Sequence, residues 1–358
     1  MKVYKILGLM SGTSLDGLDM AYCHFTEQKG VWNFEILEAQ SISYAAKQQE
    51  ELKDAIHLNA EALLQLHNQF GTWLGEEARA FIKEKQLEVD YIASHGHTTH
   101  HRPELGFTLQ IGSGQHLANA SERPVICDFR TNDVALGGQG APLVPIGDQL
   151  LFHEYDFCLN LGGISNISFD VKGKRIAYDI GLANMILNYI TRKINFEYDK
   201  GGKLARSGSI NPEMLEKLNA LKYYLLPHPK SIGYEWFLEE VVPIVDSTKD
   251  TTENLLHTAV HHICEKIAQQ IQQNTTKSGQ RVLVTGGGAL NTFLIDTLTK
   301  KLRAETKIIV PEVTIIDFKE AMVFAFMGAL RLEKQINVFN SVTGAKRNSS
   351  SGVLYLPS

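Results

Sequence analysis

The stretch Leu7–Phe25, LGLMSGTSLDGLDMAYCHF, decides how the chain begins to fold. Its two ends are largely apolar or aromatic, which predicts two strands, and its centre of Gly, Ser, Thr and Asp predicts a turn. Glycine permits positive φ and lets the backbone approach a ligand closely. Two interpretations of this segment stay open. One is an ordinary hairpin with a polar turn, and the other is a turn whose amides hold phosphate while Asp16 or Asp19 faces a metal ion.

Length and composition limit the class of protein. The chain has 358 residues, which predicts two domains rather than one core. Its net charge is −5, so we expect no basic surface for nucleic acid. The longest apolar run, Ala321–Leu330, is far shorter than the roughly 20 residues that cross a bilayer, so we expect no membrane span. Four widely spaced cysteines and the lack of a signal-peptide pattern predict a cytoplasmic protein with free thiols.

The opening pattern returns in the second half of the chain. Phe157–Val171, FCLNLGGISNISFDV, again predicts a strand, a glycine turn and a strand, and Gly162 lies 150 residues after Gly12. That period is too long for a solenoid and fits a duplicated domain with a cleft between the copies. We place the boundary in the glycine-rich stretch after Arg123, which gives domains over 1–132 and 133–337. The tail, 338–358, ends in a possible strand that could pack back on the first domain.

The glycine turns favour a nucleotide site over other sites. The sequence contains no P-loop, no Gly-x-Gly-x-x-Gly dinucleotide motif and no protein-kinase motif. Three turns remain, each after an apolar strand: Gly12–Gly17, Gly162–Asn166 and Gly286–Gly288. Two facing hairpins could hold phosphates while the third turn holds adenosine.

Nine motifs together resemble those of a known family. The chain is similar to the actin-like ATPase superfamily of sugar kinases and Hsp70-type ATPases, and within it to the anhydro-N-acetylmuramic acid kinases. The motifs follow the family order from Gly8 to Leu330. They are GLMSGTSLDGLD, SHGHTTHH, GFTLQIGSGQHLA, CDFRTNDVALGGQGAPLVP, NLGGISNIS, YDIGLANM, PKSIGYEWF, TGGGALN and EAMVFAFMGAL.

The resemblance implies a fold and an activity. The fold is α/β, with two similar actin-like (ribonuclease H-like) domains, each a mixed sheet flanked by helices, and an active site in the cleft between them. The family uses ATP, Mg²⁺ and water to open the 1,6-anhydro ring of anhydro-N-acetylmuramic acid. It yields N-acetylmuramate 6-phosphate and ADP in peptidoglycan recycling. A homodimer is compatible with this assignment.

The resemblance also assigns roles to residues of this chain. Asp179 becomes the catalytic base, although only Asp179, Gly181 and Asn184 remain of the family's Asp-Thr-Gly-Pro-Gly-Asn stretch. Asp16 becomes the magnesium ligand, with Asp19 as the alternative. The expected ATP contacts come from all three turns: Gly12, Thr13, Ser14, Leu15, Asp16, Gly17, Asp19, Gly162, Gly163, Asn166, Gly286, Gly287 and Gly288.

The expected sugar contacts have structural alternatives. The resemblance assigns His95, Arg130, Asp133, Gln139 and Glu320 to the sugar, and an arginine suits the lactyl carboxylate of muramate. Arg130 and Asp133 could instead pair across a turn. Glu320 could be a favourable charge in the first turn of its helix, and Asp179 could cap the helix that follows it.

The chain departs from the family pattern at three further positions. The family pattern has Gln, Thr and Arg where this chain has His97, Ile232 and Tyr234. The histidines of the SHGHTTHH stretch, which we place in a loop after a strand, have spacing that could also ligate zinc. The alternative functions are a kinase of another 1,6-anhydro sugar such as levoglucosan, a nucleotide-switch ATPase of the same superfamily, and a metal-dependent hydrolase.

Overall fold

A computed structural model of the chain describes residues 2–275 and 277–358. Contacts divide the chain into two units, one formed by Met1–Leu151 with Phe318–Ser358 and the other by Phe152–Asp317. This division differs from boundaries at 132/133 and 337/338. The segment from 133 groups with the first unit partly because Asp133 accepts a hydrogen bond from Thr343 Oγ1 at 2.7 Å.

The strands fall into two groups along the chain. In chain order they are β1 (Val3–Ser11), β2 (Gly17–Gln28), β3 (Val31–Ser43), β4 (Tyr91–Arg102), β5 (Phe107–Ile111), β6 (Val125–Cys127), β7 (Phe157–Leu161), β8 (Ile164–Val171), β9 (Lys174–Leu182), β10 (Arg281–Thr285), β11 (Lys307–Ile309) and β12 (Val353–Tyr355).

The helices connect and cover these strands. The α-helices are α1 (Ala46–Asp54), α2 (Ala60–Lys85), α3 (Gly114–Ser121), α4 (Thr131–Ala135), α5 (Pro145–Leu150), α6 (Asn184–Arg192), α7 (Lys203–Ser207), α8 (Pro212–Asn219), α9 (Tyr234–Trp236), α10 (Val242–Ser247), α11 (Thr252–Gln273), α12 (Thr292–Lys301), α13 (Val313–Leu332) and α14 (Asn340–Thr343). Short 3₁₀ turns cover Ala55–His57, Pro103–Leu105, Lys200–Gly202, Lys222–Leu225 and Gly287–Leu290, and a π-helical turn covers Phe237–Val241. No helix within the described residues combines the length and hydropathy needed to cross a membrane.

Both units contain a mixed sheet built in the same order. In the first unit the strands run β3-β2-β1-β4-β6, and in the second they run β9-β8-β7-β10-β11. Each sheet has an antiparallel three-stranded meander followed by two parallel strands. The first sheet also pairs β5 with β4 and β12 with β6, both antiparallel. The predicted α/β fold with two similar mixed sheets is confirmed.

Two helical stretches supply much of the apolar core. Apolar residues recur at helical spacing along α11, which predicts a buried stripe. The second unit buries all of its members: Leu256, Ala259, Val260, Ile263, Ile267 and Ile271. In the first unit the apolar part of α13 lies against β1. A Cβ atom added to Gly8 would lie 2.0 Å from the Ala321 carbonyl oxygen. Gly8 therefore serves close packing of a helix on a strand, and not a ligand turn.

Two local predictions are wrong. The histidines 95–101 lie inside β4 and not in a loop after it, because β4 continues to Arg102 and pairs with β5. Glu320 does not lie in the first turn of its helix, because α13 begins at Val313. Its charge is too far from the helix start to be explained by the helix dipole, which acts over the first turn.

Candidate active site

Asp179 lies at an irregularity in the second sheet. On β8 and β9 the Cα partners are Asn166 with Asp179 and then Ser165 with Gly181, so Ile180 is an extra residue in the ladder. Such bulges re-aim neighbouring side chains and are frequent beside active sites. The N-cap position of α6 is Ala183, without a side-chain cap. The interpretation of Asp179 as the cap of that helix is therefore wrong.

The carboxylate of Asp179 is partly buried and accepts one backbone hydrogen bond. The Ile232 amide donates to Asp179 Oδ2 at 3.1 Å. Burial raises the pKa of Asp179 above the ordinary aspartate value, and the hydrogen bond from Ile232 opposes that rise. A carboxylate with a raised pKa is a stronger proton acceptor than an exposed aspartate, which suits a general base.

The loop around Lys230 fixes the backbone of Asp179. The Asp179 amide donates to the Lys230 carbonyl at 3.1 Å, and the Tyr223 hydroxyl donates to the Asp179 carbonyl at 2.7 Å. The Lys230 ammonium donates to the Tyr223 carbonyl at 3.2 Å, so the two residues that bond the Asp179 backbone also bond each other. From the sequence, PKSIGYEWF is recognisable only as a family motif, and none of its residues has a predicted role. No spacing rule connects this segment to a strand some fifty residues earlier.

The second glycine turn lies beside the start of α6. The Gly162 carbonyl accepts from the Asn184 amide at 3.0 Å, and the Gly163 carbonyl accepts from Ala183 at 3.1 Å and from Met185 at 3.0 Å. A Cβ atom on Gly162 or Gly163 would make only ordinary contacts, 3.5 Å or longer. Internal packing therefore does not require glycine at these two positions.

The third glycine turn packs on the end of the second. Gly286 has φ 78°, and a Cβ there would lie 2.6 Å from Asn160 Oδ1. A Cβ on Gly288 would lie 2.7 Å from the Cβ of Leu161, and Asn184 Nδ2 donates to the Leu161 carbonyl at 3.0 Å. The structure thus brings together three predicted parts of the second unit: Gly162–Gly163, Asn184 and Gly286–Gly288. Gly287 is exposed.

The first glycine turn joins β1 to β2. The Leu15 amide donates to the Gly12 carbonyl at 3.3 Å, and Leu15 has φ 61°, a conformation uncommon for a residue with a side chain. Backbone strain of this kind clusters at ligand sites. Thr13, Ser14 and Asp16 are exposed on the turn. Their polar side chains and the nearby amides are therefore open to a ligand.

Asp19 lies on β2 just after that turn. It is partly buried and accepts a hydrogen bond from the Ser41 hydroxyl of β3. Asp19 is also close enough to Glu320 to raise the pKa of that carboxyl group. The structure thus places the Glu320 carboxyl group of α13 near Asp19, which follows the first glycine turn.

Arg130 is held by a histidine and a backbone carbonyl. Its Nε donates to His95 Nε2 at 3.0 Å, and its Nη1 donates to the Gly140 carbonyl at 2.6 Å. A guanidinium only donates, so His95 Nε2 is an acceptor and Nδ1 donates to the Gly96 carbonyl at 2.9 Å. Burial, followed by the charge of Arg130, lowers the pKa of His95 well below its ordinary value. His95 is therefore neutral and orients the guanidinium.

Asp133 supports the same loop from its other side. It is fully buried, and its Oδ2 accepts from the Gly140 amide at 2.8 Å while Oδ1 accepts from Thr343 Oγ1 at 2.7 Å. Arg130 and Asp133 thus hold Gly140 by its carbonyl and its amide. Gln139 is exposed, and its backbone amide donates to the Thr343 carbonyl at 2.8 Å.

Glu320 projects from the third turn of α13 into a charged environment. Burial raises the pKa of Glu320, and the charges of Arg130 and Lys319 partly oppose that rise. Lys319 itself forms a buried ion pair with Asp148 at 2.7 Å. Glu320 is exposed, and a carboxyl group with a raised pKa beside Arg130 can both donate and accept hydrogen bonds, which suits recognition of hydroxyl groups.

His97 is part of a hydrogen-bond chain behind the first turn. Its Nδ1 lies 3.0 Å from Ser11 Oγ, and the Tyr44 hydroxyl donates to Ser11 Oγ at 2.6 Å. Burial lowers the pKa of His97 to about 4, so the ring is neutral near pH 7. The described residues include no group of three or more His, Cys, Asp or Glu side chains arranged to hold a metal ion.

Comparisons with known proteins agree on one family. The model of the family described as "Anhydro-N-acetylmuramic acid kinase" matches residues 4–357. The enzyme of that name from Francisella tularensis subsp. novicida is 33% identical over 371 residues, which cover 97% of each chain. The one from Aliivibrio fischeri is 34% identical over 378 residues, which cover 98% of this chain and 99% of the relative.

Solved structures resemble this chain only weakly. One of them is an activator of the 2-hydroxyisocaproyl-CoA dehydratase from Clostridium difficile with bound ADPNP. It is 12% identical, the match covers 92% of this chain and 97% of the activator chain, and the TM-score is 0.45. The family model and the relatives cover nearly the whole chain, and they confirm the resemblance that the nine motifs carry. The chain belongs to the anhydro-N-acetylmuramic acid kinase family.

Proposed function

We propose that this protein uses ATP to open the 1,6-anhydro ring of anhydro-N-acetylmuramic acid and to phosphorylate O6, which gives N-acetylmuramate 6-phosphate and ADP. The observation that carries the proposal is Asp179, a partly buried carboxylate with a raised pKa, fixed by Ile232 and Lys230. The relatives named for this activity support the choice of substrate. The role belongs to the recycling of peptidoglycan.

The chemistry requires a base because O6 of the substrate is not free. O6 bridges to C1, so direct phosphorylation is blocked. Asp179 takes a proton from water while the water oxygen bonds to C1 and the C1–O6 bond breaks. O6 then bonds to the γ-phosphorus, and the bond between that phosphorus and ADP breaks. One carboxylate is enough, since the phosphoryl group takes the role that a general acid has in a glycosidase.

The glycine turns bind the phosphates of ATP in this proposal. Gly12, Gly162 and Gly163 stand at positions where internal packing leaves room for a side chain. Their backbone amides can approach phosphate oxygens directly, and phosphoryl transfer depends mainly on such positioning. The other expected phosphate contacts are Thr13, Ser14, Leu15, Gly17 and Asn166. The turn Gly286–Gly288, which packs against the second phosphate turn, holds adenosine.

The carboxylates of the first turn fit magnesium bound together with ATP. Magnesium in such sites takes one or two protein carboxylates, with phosphate oxygens and water as its other ligands. Asp16 is exposed on the turn, and Asp19 is partly buried just after it, so the donor set has the right chemistry without a cluster of three side chains. Bound there, the ion would neutralise charge on the phosphate oxygens.

The sugar is recognised by the loop that Arg130 organises. The Nε and Nη1 groups of Arg130 are used by His95 and Gly140, which leaves Nη2 to meet the lactyl carboxylate. Glu320 binds a sugar hydroxyl, and the exposed Gln139 side chain adds a further contact. Asp133 acts as a positioning residue, because both of its oxygens are occupied by Gly140 and Thr343.

Two finer expectations remain, one from the sequence and one compatible with the family resemblance. We propose that the enzyme works in the cytoplasm and forms a homodimer. Analytical ultracentrifugation of the purified chain tests the second point, and a monomer at micromolar concentration contradicts it.

A coupled ADP-release assay tests the function. Magnesium-ATP is mixed with the enzyme and anhydro-N-acetylmuramic acid, levoglucosan or N-acetylmuramic acid. We expect turnover with the anhydro-muramate and a ring-opened 6-phosphate by mass spectrometry. Turnover with levoglucosan instead would change the proposed substrate and leave the proposed mechanism unchanged. ADP release that ignores every sugar would contradict the proposal and favour a nucleotide switch.

A further inference from the structure

A cavity of about 480 Å³ lies within the second unit, next to the loop that holds Asp179. This volume is in the range typical of small-molecule sites, roughly 300–1,000 Å³. Its walls come from the segment 224–230, from the C-terminal half of α11 and from Tyr178. The proposed function uses none of this space.

The cavity has a positive and polar lining. Lys230 and Lys266 both line it, and no Asp or Glu does. Each ammonium donates to one backbone carbonyl, Lys230 to Tyr223 and Lys266 to Asn219, both at 3.2 Å. Each ammonium also lies over a tyrosine ring, Lys230 over Tyr223 at 4.5 Å and Lys266 over Tyr224 at 4.8 Å. An ammonium has three donors, so each lysine keeps at least one for a ligand. Among the described residues neither lysine forms an ion pair. Glu265, whose charge acts on Lys266, is itself paired with Lys301 at 3.0 Å.

Amide and aromatic groups complete the wall. Five amide side chains line the cavity: Asn219, Gln269, Gln270, Gln273 and Asn274. They supply donors and acceptors that match hydroxyl groups. The rings of Tyr178 and His228 stack with centroids 5.1 Å apart and planes 10° apart, and both belong to the lining. This pair adds a rigid apolar edge.

The chemistry of the lining identifies the class of ligand. Two ammonium groups without a carboxylate select an anion, the amides select hydroxyl groups, and the aromatic pair accommodates the apolar face of a ring. We propose that this cavity is a second binding site that takes a phosphorylated sugar, and that its occupant acts on Asp179 through the Lys230 loop. Burial, followed by the neighbouring Lys266, lowers the pKa of Lys230, which agrees with two cations that lack a counter-ion.

The route to Asp179 is short and is made of hydrogen bonds. Lys230 lines the cavity, and the Lys230 carbonyl accepts a hydrogen bond from the Asp179 backbone amide. Tyr178 precedes Asp179 on β9, and its hydroxyl donates to Gln270 Oε1 at 2.7 Å. A ligand that binds Lys230 and Gln270 therefore contacts both segments that set the orientation of the base.

Calorimetric titration of the full chain with glucose 6-phosphate, inorganic phosphate and glucose tests the site. We expect the sugar phosphate to bind more tightly than either fragment. Lys266→Met should weaken that binding by about tenfold or more, because it removes a charged hydrogen-bond donor. Lys249→Met is the matched control, since Lys249 is exposed in the same unit and outside the cavity, and it should bind as the wild type does.

A second variant tests the site independently if Lys266→Met does not fold. Gln273 is exposed and lines the cavity, so Gln273→Glu should fold and add a repulsive charge that weakens binding. Equal affinity in wild type, Lys266→Met and Gln273→Glu would overturn the proposal, because the sugar phosphate would then bind elsewhere. Equal affinity for inorganic phosphate and glucose 6-phosphate would overturn the choice of ligand.

A kinetic measurement tests the link to the base and rests on the proposed function, whereas the titration does not. We expect glucose 6-phosphate to change kcat of the wild type and to leave kcat of Lys266→Met unchanged at the same concentration. The same change in both enzymes would overturn the coupling. Binding without any sugar-kinase turnover would contradict the proposed function and leave the second site standing.

Discussion

The Ile232 amide donates a hydrogen bond to Asp179 Oδ2 at 3.1 Å, although the two residues are 53 positions apart in the chain. The same loop accepts the Asp179 amide at Lys230, so one segment holds both the side chain and the backbone of the candidate base. The motif that begins at Asp179 departs from the family pattern, and hydrogen bonds from a distant segment of the chain hold its first residue in place. This arrangement keeps the carboxylate in place without the family's Thr, Pro and second Gly.

Replacement of the base should abolish turnover and spare the fold. Asp179→Asn removes the proton acceptor and keeps the shape, so we expect kcat to fall by about 10²- to 10⁴-fold. The Kd for ATP, measured by calorimetry, should change little. Near-normal turnover of a pure preparation would exclude Asp179 as the base.

The pH dependence of turnover should report the raised pKa of Asp179. The base acts in its ionised form, and burial raises its pKa, so kcat/KM should fall with decreasing pH at a higher pH than for an exposed aspartate. A pH–rate profile with magnesium-ATP and the anhydro sugar measures this limb. A profile that stays flat down to the pKa of an exposed aspartate would contradict the assignment.

The same shift predicts a stability change with a definite sign. A carboxyl group with a raised folded-state pKa favours the folded state below its unfolded pKa, and this contribution is lost as pH rises through the folded pKa. At pH 7 the ionised carboxylate therefore costs stability, and Asp179→Asn should be at least as stable as the wild type. Thermal unfolding of both proteins at pH 4 and pH 7 tests this, and a lower Tm of the variant at pH 7 would speak against it.

Substitution of Arg130 should separate the two substrates. Arg130→Ala should raise the KM for the sugar by roughly 10- to 100-fold, because a charged hydrogen bond is lost, and should leave the KM for ATP nearly unchanged. Arg130→Lys should rescue little, since a lysine cannot bond His95 and Gly140 in the same planar geometry. Equal rises in both KM values would place Arg130 outside the sugar site.

The His97 position should accept the glutamine that the family has. The neutral ring of His97 bonds Ser11, and a glutamine carbonyl oxygen can accept from the same hydroxyl. We therefore expect His97→Gln to keep kcat/KM within about threefold of wild type. His97→Leu leaves buried Ser11 with one fewer partner and should cost about 1–3 kcal/mol in the free energy of unfolding. Identical urea midpoints for both variants would refute this reading.

Two glycines of the first hairpin should respond to alanine in opposite ways. Gly8→Ala places a methyl group 2.0 Å from the Ala321 carbonyl and should destabilise the protein by about 1–3 kcal/mol or more. A Cβ on Gly12 meets nothing closer than Ser14 Oγ at 3.3 Å, so Gly12→Ala should fold normally and raise the KM for ATP. Urea unfolding and steady-state kinetics distinguish the two. Unchanged ATP kinetics in Gly12→Ala would remove this turn from the phosphate site.

Much of the fold was predictable because its signals are local. Apolar and aromatic runs on either side of a glycine turn predict β1 and β2, and the same pattern predicts β7 and β8. The stripe on α11 predicts a buried helix, which the core of the second unit confirms. Glycine clusters mark the three turns for the same reason, because they depend on a few consecutive residues.

The supports of the site were not predictable in this way. Tyr223 and Lys230 have no local pattern that connects them to Asp179, and their hydrogen bonds form only when distant segments meet. The start of α13 was also missed. The sequence alone shows where its apolar run begins, whereas the helix begins upstream of that run, at Val313, in the stretch VTIIDFKE that mixes apolar and polar residues.

The sequence by itself determined the α/β class, the order of the turns and the family, because motifs and hydrophobic periods are written in neighbouring residues. Only the tertiary structure decided that Gly8 serves helix packing, that Arg130 and Asp133 meet at Gly140, and that Asp179 is held by the Lys230 loop. The physical reason is that burial, and hydrogen bonds between distant segments, exist only once the chain is folded. These same interactions set the pKa of Asp179 and therefore its capacity to act as a base.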